Sequence, residues 1–101
     1  MELEEIRETI TAVDEQITAL FTRRMELVEE IARIKHQSGM NVRDHAREQD
    51  VLAHVAEIAG PDYAPYAQEL YTQMLHISRE YQRNLMIRAD DALPKAADTT
   101  K

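Results

Sequence analysis

The chain has 101 residues, a formal net charge of −7 and no cysteine. Affinity for nucleic acid or an anionic membrane rests on a basic surface that this charge does not supply, and without cysteine there is neither a disulfide framework nor a thiolate nucleophile or ligand. Only two glycines and three prolines stand among abundant Ala, Leu, Glu, Arg and Gln. That composition predicts one all-helical domain, small enough that burial across a dimer would add considerably to its core.

The opening MELEEIRE is acidic and amphipathic, unlike a signal or transit peptide, and no apolar run approaches membrane-spanning length, so a cytoplasmic protein is expected. A first long helix is predicted from Leu3 to about Gln37. Its apolar positions, Leu3, Ile6, Ile10, Val13, Ile17, Leu20, Leu27, Ile31 and Ile34, recur at alternating steps of three and four, a heptad seam that faces another helix. The seam position between Leu20 and Leu27 is Arg24. A guanidinium there loses hydration that an anion or hydrogen-bond acceptors must replace.

Arg7 and Lys35 share one register beside the seam, 28 residues apart, or roughly 42 Å at the rise of an α-helix. One straight helix cannot bring both to a small ligand. Two copies packed antiparallel about a two-fold axis near Thr18 and Ala19 carry Arg7 of one chain alongside the Arg24 to Lys35 segment of the other, giving two equivalent cationic sites.

Glu2, Glu4 and Glu5 at the start of this helix and Arg33, Lys35 and His36 at its end suit the helix dipole, and Gly39 is placed for a left-handed cap. The second helix is expected to begin between Asn41 and Asp44 and to stop at Gly60-Pro61. Its apolar stripe Val51, Val55, Ile58 continues backwards onto Glu48 and Asp44, with Arg47 beside them and Arg43 just before. A third helix is predicted from about Tyr63 or Pro65 to Arg88. One stripe, Tyr71, Leu75, Ser78, Gln82, Leu85, carries two neutral hydrogen-bonding groups; the other, Leu70, Met74, Ile77, Tyr81, reads as plain core. The segment from Ala89 to Lys101 lacks periodicity and is expected to be a disordered tail, leaving residues 1–88 as the domain.

Taken singly, each polar residue on these faces has an ordinary explanation. Asp44 suits an N-cap, Arg24 a register device, Ser78 and Gln82 bonds to their own helix, and Arg7, Lys35 and Arg47 the solvated surface. Taken together, Arg7, Arg24, Lys35, Asp44, Arg47, Glu48, Ser78 and Gln82 come from all three helices, and their cations and donors outnumber their carboxylates. Such a set suits a small polyanion. His36, His45, His54 and His76 make no i, i+4 pair, so no metal site is expected.

The order and spacing of IRETITAVDEQITAL, TRRMELVEEIARIK, VRDHAREQDVL and HISREYQ resemble the all-helical chorismate mutases of the short, intertwined-dimer class, over Leu3 to about Leu85. The resemblance implies three helices per chain in an antiparallel homodimer, with each site completed by an arginine from the partner's first helix, a position held here by Arg7. It implies that Arg24 and the partner's Arg7 bind the substrate's carboxylates with Arg47 and Ser78 in support. It further implies that Lys35 and Gln82 bond the ether oxygen and that Glu48, with Asp44 nearby, holds the ring hydroxyl. Every one of these positions carries the expected residue type.

In that family chorismate, a dianion, rearranges to prephenate on the route to phenylalanine and tyrosine. The step is intramolecular and needs no nucleophile, proton transfer or cofactor, only a clamp on the carboxylates and donors at the breaking C–O bond. Two alternatives stay open. An isochorismate pyruvate-lyase shares the Arg/Arg/Lys/Gln core but is expected to lack the Asp44, Arg47 and Glu48 set, and a non-catalytic helical dimer binding an anionic metabolite would be more stable with Leu at position 24.

Overall fold

The computed structural model describes residues 2–92. Three helices fill it: α1 (Leu3–Ser38), α2 (His45–Ala59) and α3 (Ala64–Ala92), with no strand among the described residues. The protein is all-α. Charge and capping set the ends of the helices. The Glu2 backbone N–H donates to Glu5 Oε1 at 3.2 Å, and Gly39 closes α1 in the left-handed region at φ 67°, where a side chain would be strained. Asp44 Oδ1 accepts from the Arg47 backbone N–H at 3.0 Å, which starts α2. Gly60, at φ 82°, ends it. The Ala64 N–H donates to Gly60 O at 2.8 Å, a turn tight enough that Pro65 falls in the first turn of α3, where its missing N–H costs nothing.

Helix α3 runs four residues beyond the predicted stop at Arg88, so Ala89 to Ala92 are helical rather than part of a tail. Asp90 Oδ1 lies 2.8 Å from His36 Nε2, which ties this last turn to the end of α1, and alanine favours helix at positions 89 and 92. Residues 93–101 of the expected tail lie outside the described residues.

Among the described residues, α3 packs against both other helices while α1 and α2 do not pack directly. The core is small: Val28, Ala32 and Leu75 are its buried apolar residues. Every residue from Glu2 to Leu20 is exposed, so the first half of α1 projects as an arm and the molecule is 71 Å long but 15 Å thin. All nine apolar seam residues of α1 are exposed.

Two predicted core stripes are corrected by this geometry. Leu70 and Ile77, read as plain core, are 58 % and 42 % exposed, because α1 and α2 cover the Leu75, Ser78, Gln82 face of α3 instead. Ile58, at the end of the α2 stripe, is 70 % exposed, two residues before the Gly60 turn that ends the helix. No described helix is long and apolar enough to cross a membrane.

Candidate active site

Between the second half of α1, the start of α2 and the middle of α3 lies a cleft of about 420 Å³, within the usual range for a small-molecule site. Its polar lining is Arg24 and Lys35 from α1, Asp44, Arg47 and Glu48 from the start of α2, and Ser78, Arg79 and Gln82 from α3. Leu27, Val28, Ile31, Val42, Val51 and Leu75 form the apolar remainder. The heptad register turns Arg24 and Lys35 toward α3, and the spacing of Ser78 and Gln82, one helical turn apart, turns them back.

Each polar side chain is held in its own way. Arg24 NH1 donates to Ser78 Oγ at 2.8 Å, and its guanidinium carbon stands 6.0 Å from the centroid of the Tyr71 ring, in reach of a cation–π contact. The hydroxyl and the ring fix one end of the fork. Lys35 Nζ donates to Val42 O at 2.6 Å, which docks the loop after α1 onto the ammonium. Glu48 is 8 % exposed and is bridged through Oε1 to Arg79 at 2.7 Å and to Arg43 Nε at 3.5 Å.

Gln82 is different. It is 6 % exposed, and among the described residues its Oε1 is sealed inside without any partner and its Nε2 donates to none. A buried amide without partners is rare in a structural role and common where a ligand is received.

Seven of the eight residues singled out from the sequence therefore meet in one cleft. Arg7 does not join them within its own chain: it sits on the projecting arm, 65 % exposed and 4.0 Å from Glu4. Asp44 does the capping work that its ordinary reading assigned it, and still lines the cleft. Arg79 went unnoticed in the sequence, although it follows Leu75 by four residues and precedes Gln82 by three, the spacing of a shared face.

The cleft carries Arg24, Lys35, Arg47 and Arg79 against Asp44 and Glu48, an excess of two cations in a chain of net charge −7. A second groove, about 690 Å³ between α1 and the end of α3, is larger but is lined by Glu26, Glu29 and Glu30 with only Arg33 and His36 as basic groups. It repels anions, so the smaller cleft is the site of interest.

Residues 6–83 match the family described as chorismate mutase type II. No curated protein and no solved structure matches the chain. The matched span holds Arg7 and every polar residue of the cleft from Arg24 to Gln82, and the chain belongs to the type II chorismate mutase family.

Proposed function

We propose that the protein is a chorismate mutase, converting chorismate to prephenate within a homodimer whose two clefts are each completed by Arg7 of the other chain. The observation that carries the reading is the convergence of Arg24, Lys35, Arg47, Ser78 and Gln82 on one cleft with two cations in excess, in a chain of this family. Chorismate carries two carboxylates. Arg24, braced by Ser78, takes one, and the partner's arm delivers the arginine for the other, folding the enol-pyruvyl side chain over the ring so that the two carbons to be joined approach each other.

As the C–O bond breaks, its oxygen gains negative charge. Lys35 and the unpaired Nε2 of Gln82 donate to that oxygen and stabilise the transition state more than the substrate, and loss of one such donor costs about 3 to 4 kcal/mol. Glu48 accepts from the ring hydroxyl. Electrons move in a closed ring of bonds and no proton leaves the substrate, which accounts for a site built of cations and amide donors rather than of an acid and a base.

Purified protein incubated with chorismate should consume the enol-pyruvyl chromophore and form prephenate. Release of pyruvate from isochorismate, with no loss of chorismate, would reassign the chain to the lyase reading. Inertness toward both would leave only a dimeric module that binds an anion.

A further inference from the structure

We infer that Arg79 is a positioning residue: it holds Glu48 Oε1 so that Oε2 stays turned into the cleft as the acceptor for the substrate's ring hydroxyl. The inference rests on the reading of the cleft as a chorismate site. Its starting point is that every ion pair and hydrogen bond of the Glu48 carboxylate falls on one oxygen: Oε1 meets Arg79 NH1 at 2.7 Å and Arg43 Nε at 3.5 Å. Oε2 has no partner among the described residues, yet it is not sealed from solvent as Gln82 Oε1 is. Glu48 lines the cleft, so the free oxygen is the one a ligand can reach.

Of the two arginines on Glu48, the Arg79 side chain is 14 % exposed and the Arg43 side chain 53 %. A short, sheltered charge-assisted bond fixes a carboxylate, whereas a longer one in solvent is screened. Arg79 therefore sets the rotamer. Because Arg79 extends from α3 and Glu48 from the first turn of α2, the pair also pins the start of α2 against α3.

The test compares chorismate with an analogue whose ring hydroxyl is replaced by hydrogen. If Arg79 acts through Glu48 on that hydroxyl, Arg79→Met lowers kcat/KM for chorismate by about 10- to 100-fold, the range of one charge-assisted hydrogen bond, and lowers it by less than about 3-fold for the analogue. Arg79→Lys keeps the charge without the fork and falls between parent and Arg79→Met on chorismate. It supplies the same comparison if the methionine variant does not fold. A crystal structure of the folded variant should show the Glu48 carboxylate turned out of the cleft.

Equal losses on both substrates, or a Glu48 that keeps its place without Arg79, overturn the inference. A parent that leaves chorismate untouched overturns the proposed function instead, and the position of Glu48 in the variant crystal then decides whether Arg79 holds it.

Discussion

Sealing the Gln82 carbonyl oxygen without a donor costs about 1 to 3 kcal/mol relative to a satisfied or apolar side chain. A helix–helix contact has no use for that cost, whereas a donor pre-aimed at a reacting oxygen does. Replacing Gln82 with Met, similar in length and apolar, should therefore raise the melting temperature by several degrees while removing most activity. A melting temperature that falls shows that the amide is satisfied in solution and that its place in the cleft is structural. Gln82→Glu tests the same atom by charge. An ionised carboxylate offers only acceptors to an oxygen that is becoming negative, and only its protonated form donates. Activity on chorismate should be mostly lost at neutral pH and should return as pH falls, because burial raises the introduced group's pKa even though Lys35 opposes it. A rate profile from pH 5 to 8 that parallels the parent's places Gln82 away from the reacting atoms. At this scale the sequence was readable where a polar residue interrupts an apolar stripe, as Arg24, Ser78 and Gln82 do. It was silent on Arg79, since a lone arginine beside a stripe looks like any solvated charge until its partner on another helix is known.

At the scale of the element, the bounds of α1 and α2 follow from local chemistry. Glutamates at one end, Gly39 at the other and the Asp44 cap all act within a few residues of the bond they satisfy. The misread stripe of α3 has a different origin. Periodicity identifies an apolar face but not whether its cover belongs to the same chain, and Leu70 and Ile77 are open in the single protomer. The end of α3 was missed for a related reason: Asp90 looks unfavourable at a helix C-terminus until His36 of α1 is found beside it. The arm of α1 turns the question of cover into an experiment. If Ile17, 56 % exposed in one protomer, faced only water, Ile17→Asp would change stability by no more than about 0.5 kcal/mol. In the proposed dimer it lies next to the two-fold axis, and each copy would then bury a carboxylate against its symmetry mate. The parent should sediment as a dimer at micromolar concentration and the variant as a monomer with reduced helicity, because an unpacked helix half of this length is marginal in water. Identical sedimentation of the two proteins would remove the seam from the interface.

For the whole molecule, three buried apolar residues cannot support a chain of this length. Under the proposed function, association with a second copy supplies both the missing core and the missing arginine. Arg7→Ala and Arg24→Ala should each be nearly inactive as purified dimers. When the two are unfolded and refolded together, half of the dimers are mixed, and one site in each mixed dimer carries both arginines. The recovered activity should approach about a quarter of the parent's, as two-fold symmetry requires. Refolded mixtures that stay inactive would mean that each site draws both arginines from one chain.

In the proposed assembly the projecting arm also governs how fast such a mixture can form from preformed dimers. The stretch from Glu2 to Leu20 is exposed throughout in its own protomer, so in the proposed dimer two arms laid along each other's seams separate only if both lose their packing in the same event. Exchange of chains is then limited by spontaneous unfolding rather than by collision, and folding itself becomes second order in protein. Activity should appear in a mixture of preformed Arg7→Ala and Arg24→Ala dimers as a slow first-order rise whose half-time does not change on dilution. It should shorten steeply with temperature or with a little denaturant, as an unfolding rate does.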